Sequence, residues 1–172
     1  MQIVTIHKSK GLEYAVVFCP FGWESSLVKN PEFTFHDVTK DRRLTLDLGS
    51  ESRRQHLAMA QNENLSENIR LLYVALTRAK VRCYLAWGRI NQADTSAPAY
   101  LLHGGTGQRA ASPTDDQVLL LKEHFAAKTD AEVGQDIRRL CDNSRNIIQM
   151  VPLPESLDRQ TDVMLTNRED AS

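Results

Sequence analysis

Two apolar runs at the start of the chain, Gln2-Ile3-Val4 and Tyr14 to Pro20, are rich in β-branched and aromatic residues and predict short buried strands. The polar stretch Thr5 to Glu13 between them is too short for a crossover helix. It predicts a strand end, a sharp loop at Gly11 and one helical turn. Glu32 to His36 and Leu44 to Leu48 alternate apolar with polar, and the turn Thr39 to Arg42 predicts a β-hairpin. From Glu51 to Lys80 the period is helical, with Ser50 as candidate N-cap and a break expected at Asn62 to Asn64, because asparagine competes for backbone hydrogen bonds. Ile69, Leu72, Tyr73 and Leu76 recur at helical spacing and predict one core-facing stripe. Cys83 to Trp87 predicts a further buried strand, making half of a βαβ layer.

Beyond this the pattern changes. Residues 91–114 are loop-rich, with at most a short helix at Ala99 to Leu102. Capping-box signals at Thr114 and Thr129 predict helices to about Ala127, with stripe Val118, Leu121 and Phe125, and to about Asp142, with stripe Val133, Ile137, Leu140 and Cys141. Asn146 to Val151 predicts a last strand stopped by Pro152, and the polar residues after Pro154 predict a disordered tail. The fold class is therefore α/β.

Composition narrows the class of function. Among 172 residues, 41% are hydrophobic and 25% charged, which suits a globular domain with a real core. No apolar run reaches the roughly 20 residues of a membrane helix. Cys19, Cys83 and Cys141 are odd in number and widely spaced, as expected of a reducing cytoplasm; neither they nor the histidines show metal-ligand spacing. A net charge of -1 argues against a free-standing non-specific nucleic-acid binder, though not against a few phosphate contacts inside a larger assembly. No G-x-x-x-x-G-K-[ST] loop is present, and Gly104 to Gly107 reads as a flexible loop.

Candidate chemistry concentrates in the polar stretch and in a second one. Thr5, His7, Lys8, Lys10 and Glu13 are expected at a sheet edge, where loops leaving carboxyl ends of strands bind ligands, or on a plain solvated loop. The helix Glu67 to Lys80 ends in Thr77-Arg78-Ala79. Arg78 suits phosphate, being always charged and bidentate, and equally suits the capping of its own helix C-terminus.

Thr5-Ile6-His7-Lys8-Ser9-Lys10-Gly11-Leu12-Glu13-Tyr14 resembles motif V of superfamily 1 helicases of the UvrD and RecB type, roughly T-h-H-x-x-K-G-L-E-(F/Y) with h apolar. Glu67 to Ala79 resembles motif VI, roughly E-x-x-R-L-L-Y-V-A-L-T-R-A. Both match almost letter for letter and in order. The first is most similar to the beta subunits of exodeoxyribonuclease V. The motifs cover about 25 residues, and a looser likeness runs to about residue 151.

The resemblance implies the C-terminal part of a second RecA-like domain at residues 1–92, with the hairpin as an excursion. A small α/β extension of mainly helical content would fill 93–151, and a flexible tail or linker 152–172. A chain opening on a strand would then be an excised piece of a longer protein, whose first domain carries the phosphate loop. Arg78 would be the arginine finger. Gly11, Glu13, Arg70 and Arg78 would form the nucleotide edge, with Glu13 accepting from the ribose hydroxyls of ATP. Thr5, His7 and Lys8 would contact single-stranded DNA. Structural alternatives are ion pairs for Arg70 and for Glu13 with Lys8 or Lys10, a backbone-satisfied His7 and a solvated Lys8. Tyr73 is expected in the core. ATP and Mg2+ would serve the full-length enzyme, DNA ends and other helicase–nuclease subunits would be its partners, and the cytoplasm its place. A repair helicase without nuclease and a non-catalytic adaptor that kept the fold are the competing readings.

Overall fold

The computed structural model describes residues 1–104 and 110–151. Gly105 to Gly107 of the expected flexible loop and the expected tail lie outside the described residues. The fold is mixed α/β. Its elements are β1 (Tyr14–Cys19), β2 (Phe33–Asp37), β3 (Arg43–Asp47), α1 (Arg53–Leu76), β4 (Ala79–Leu85), a 3-10 turn (Ala93–Thr95), α2 (Ala97–His103), α3 (Gln117–Ala127) and α4 (Asp130–Asn143). β1 and β4 pair in parallel, and β2 and β3 pair antiparallel.

α1 organises the packing. One stripe of its residues, Ala58, Gln61, Leu65, Leu72 and Ala75, is buried at helical spacing. Met59 and Ala60 pack against Phe33 and Phe35 of β2, with Val28 and Leu57 at the margin. A second cluster joins the C-terminal helices: Ala99, Leu121, Phe125 and Val133, flanked by Trp87 and Tyr100. The α3 stripe of Val118, Leu121 and Phe125 is buried as expected. Of the α4 stripe only Val133 is buried, and Leu140 is exposed.

Several local expectations are corrected. Gln2 to Val4 forms no strand and is exposed; it pairs with neither open edge of the β1–β4 sheet. β1 itself is largely exposed rather than buried, being half of a two-stranded sheet. β4 begins four residues earlier than Cys83 and ends at Leu85. α1 runs unbroken through Asn62 to Asn64. The amide of Asn62 spans to Asp115 O and Gln117 N, and Asn64 reaches Ser26 O, so these side chains do not compete for the helix backbone. Ser50 is not the N-cap: its hydroxyl donates to Asp47, and Ser52 takes the cap position without a side-chain bond.

Tyr73 is 66% exposed and lies off the buried stripe. Of the expected stripe Leu72 is buried, and Ala75, one residue before the expected Leu76, takes the next core position. α3 is capped by Asp116, whose carboxylate accepts from Val118 N and Leu119 N, while Thr114 turns to Ser112. The Thr129–Glu132 capping box of α4 forms as expected. Asn146 to Val151 forms no strand; Arg145 and Asn146 take positive φ, and the following residues are exposed without a ladder partner.

Candidate functional site

The stretch before β1 folds as one tight turn over residues 6–11. Ser9 N donates to Thr5 O (3.0 Å) and Ile6 O (3.2 Å), Lys10 N to His7 O (3.4 Å), and Leu12 N to Ser9 O (3.0 Å). The Thr5 hydroxyl accepts from Lys8 N at 3.3 Å, and Ser9, buried at the turn's centre, donates to Ile6 O. Gly11 holds φ +83°, a left-handed conformation that glycine adopts without the Cβ penalty. An added Cβ there would meet nothing within 4 Å, so backbone conformation rather than close approach explains the glycine. His7, Lys8 and Lys10 stay exposed on this turn.

The end of α1 meets that turn. Helix ends leave carbonyls unpaired. Here Thr77 Oγ1 donates to Tyr73 O and Val74 O, and Arg78 Nε donates to Val74 O at 3.0 Å. The arginine therefore caps its own helix, where a cation is favoured by the dipole. It also reaches across: Arg78 Nη1 donates to Leu12 O at 3.2 Å. Tyr14 N donates to Arg78 O at 2.9 Å. The result is a main-chain interlock that sets Gly11, Glu13 and Arg78 side by side.

Glu13 pairs with Lys80 at 2.8 Å, both more than half exposed. Its partner is thus neither Lys8 nor Lys10. The hydrogen bond and charge of Lys80, with a lesser contribution from Arg78, hold the Glu13 carboxyl below its ordinary range; Glu13 in turn raises Lys80. Lys80 is the site residue that the motif reading missed, although it directly follows Thr77-Arg78-Ala79. The turn lies at the amino ends of β1 and β4, not at carboxyl ends, because the expected preceding strand does not form. Arg70 stands apart. It pairs with Glu67 three residues earlier on α1 and is eight residues, about 12 Å of helix, from Arg78. The buried hydroxyl of Tyr14 has no hydrogen-bond partner among the described residues.

The site's chemistry is that of a guanidinium anchored on main-chain carbonyls and a carboxylate paired with a lysine, on a parallel strand pair beside an exposed cationic turn. This arrangement, with its two motifs in place, defines a helicase C-terminal piece. The family profile of the UvrD-like helicase C-terminal domain matches residues 1–89, and the chain belongs to that family. RecBCD enzyme subunit RecB of Escherichia coli is 45% identical over 85 residues, covering 49% of this chain and 7% of that protein. An ATP-dependent helicase/nuclease subunit of Heliobacterium modesticaldum is 33% identical over 159 residues, covering 81% and 11%. An ATP-dependent helicase/nuclease subunit of Staphylococcus aureus strain MW2 is 30% identical over 190 residues, covering 98% and 15%. The chain thus spans no more than about a seventh of the length of these relatives. Among the described residues no helix is long and apolar enough to cross a membrane.

Proposed function

We propose that this chain is a piece of an ATP-dependent helicase–nuclease subunit that processes broken DNA ends. In it, residues 1–92 form one wall of the ATP cleft and part of the single-stranded DNA track, and 93–151 an extension packed on it. The observation that supports this reading is the interlock, in which Arg78 binds the Leu12 carbonyl next to Glu13 while the Glu13 carboxylate rests on Lys80. Two such groups fit the far side of a nucleotide: a carboxylate accepts from ribose hydroxyls, and a guanidinium forks onto phosphate. ATP with Mg2+, held by the phosphate loop of another domain, would supply the phosphoryl group that passes to water as ADP leaves. This chain's part is to position and to place charge.

Arg78 keeps free N–H groups after its bonds to Val74 O, Leu12 O and Thr77. It can therefore turn part of its fork toward a phosphate while the rest anchors it. Thr5, His7 and Lys8 sit on the turn whose continuation carries Glu13, so one short segment would touch both DNA and nucleotide. Contacts of this kind to the DNA backbone position the strand without reading its sequence. Arg70, paired along its helix, is the weakest member of the set. The isolated chain, without a phosphate loop, would not turn over ATP.

The test is Arg78→Ala in the full-length enzyme. Turnover should fall by roughly 10³–10⁵, the usual worth of an arginine finger, with the Michaelis constant for ATP closer to intact. Normal turnover together with a lowered melting temperature would leave Arg78 as a helix cap alone.

A further inference from the structure

Lys80 stands at an irregularity of the parallel pair. Between the partners Tyr14↔Ala79 and Val16↔Arg82, β1 advances two residues and β4 three. The surplus falls at Lys80 and Val81, opposite Ala15. A bulge of this kind re-aims a side chain, and bulges gather beside functional sites. Here the aim is toward Glu13, the residue just before β1. Glu13 Oε2 lies 2.8 Å from Lys80 Nζ, and the charge of Arg78 reaches the same carboxyl.

The charges at this edge make the choice of partner matter. The stretches 5–14 and 77–82 hold five full cations, Lys8, Lys10, Arg78, Lys80 and Arg82, and a single acid, Glu13. Arg78 is the strongest competitor for that acid, because a guanidinium fork matches a carboxylate with two parallel bonds. It is already anchored one residue away, on Leu12 O. Were Glu13 to close on Arg78, each group would consume the other. The carboxylate would lose the oxygens that a ribose hydroxyl needs, and the guanidinium the N–H groups that a phosphate needs. In the structure Lys80 holds the acid instead, and by one oxygen. Glu13 Oε1 accepts no hydrogen bond among the described residues. An ammonium is a compact point charge without a fork, so it leaves the second oxygen open.

We propose that Lys80 is a positioning residue that keeps the Glu13 carboxylate off the Arg78 guanidinium, leaving Glu13 Oε1 for the ribose and the free Arg78 N–H groups for phosphate. The inference deepens the functional reading above and rests on it. Stability is not what the pair supplies: both side chains are more than half exposed, and such pairs add little to folding. Its effect is on which cation the acid takes. Of the influences that hold the Glu13 carboxyl low, the hydrogen bond and charge of Lys80 come first and the charge of Arg78 last.

The test uses the full-length enzyme carrying Lys80→Ala, Lys80→Arg, Glu13→Gln, or Lys80→Ala together with Glu13→Gln. Steady-state ATPase gives turnover at saturating ATP, and calorimetry with a non-hydrolysable ATP analogue gives the dissociation constant. Lys80→Ala should lose roughly two- to fivefold in both turnover and affinity, the scale of one exposed ion pair, with an unchanged melting temperature. Lys80→Arg still holds the acid and should keep turnover. Glu13→Gln removes the charge that closes on Arg78, so the double variant should turn over faster than Lys80→Ala alone. A merely structural lysine would give no such rescue. Parental turnover and affinity in Lys80→Ala, a loss in Lys80→Arg as large as in Lys80→Ala, or a double variant no faster than Lys80→Ala would each overturn the inference. None of these would touch a collapse of turnover in Arg78→Ala, on which the functional reading stands. Normal turnover in Arg78→Ala would overturn both.

Discussion

The two short sheets are built on opposite principles. β2 and β3 lie on α1 with Phe33 and Phe35 buried, and their ends are tied by carboxylates that no solvent reaches. β1 and β4 bury little: Val16, Phe18, Val81 and Tyr84 are all exposed, and Phe18 stacks on Tyr84 with ring centres 4.7 Å apart. What holds the second pair at its amino end is the Arg78 guanidinium donating to Leu12 O and the Tyr14 amide donating to Arg78 O. One sheet is a core element that happens to show leucines. The other is a mount for charged groups, with its stability drawn from elsewhere. Where little packing closes over the side chains, the geometry is fixed through hydrogen bonds and an ion pair instead.

Breaking the buried sheet should have the larger effect. Phe35→Ala removes a fully buried ring and should destabilise the chain by about 3–5 kcal/mol, read from urea unfolding. Phe18→Ala on the open sheet should cost only about 0.5–1.5 kcal/mol, the worth of an exposed aromatic pair. Equal losses would dissolve the contrast.

Removing the interlock comes next. Arg78→Ala forfeits the bonds to Val74 O and Leu12 O, each worth roughly 1 kcal/mol net. Arg70→Ala, losing an exposed i,i+3 pair, should change stability by less than about 0.5 kcal/mol. If both cost the same in a melting experiment, the interlock is not what mounts the site.

Acid should weaken the antiparallel sheet more than the open one. The hydroxyl of Thr39, then Lys40 and the Thr39 amide, lower the Asp37 carboxyl to about 2, against the cost of its burial. The hydroxyl of Ser50 and then His56 hold Asp47 still further below the usual carboxylate range. A depressed acid stabilises the folded state above its unfolded value, near 4, and that contribution fades as the pH falls toward the folded value. Melting temperature should therefore drop between about pH 4 and pH 2, and Asp37→Asn should flatten that slope. An unchanged slope would show that these carboxylates are not what fastens β2 to β3.

The smallest effects concern ligands in the full-length enzyme. Glu13→Ala should raise the Michaelis constant for ATP, and His7→Ala the DNA concentration for half-maximal stimulation, each by roughly three- to tenfold for one hydrogen bond lost. A His7→Ala enzyme with an unchanged DNA titration and a lower melting temperature would make the histidine structural.

The linear chain determined a good deal. Both motifs were legible because each is a contiguous run of residues, in an order that packing does not alter. The α3 stripe and the Thr129 cap were legible because both are local, settled within a few residues of backbone. Gly11 announced its turn for the same reason. Long-range partners were not legible. Which lysine pairs with Glu13 depended on β1 lying beside β4, and not on Lys8 or Lys10 being near in sequence. Asn62 and Asn64 looked like helix breakers until segments 53 and 38 residues away supplied partners for their amides. Gln2 to Val4 and Asn146 to Val151 had the residues of strands but pair with no other segment among the described residues, and a strand is a two-body object. The facing of β3 was hidden most completely. Its alternation was plain to see, but alternation has two faces, and only the bonds gathered on Asp47 set that acid inward and Leu44 and Leu46 outward.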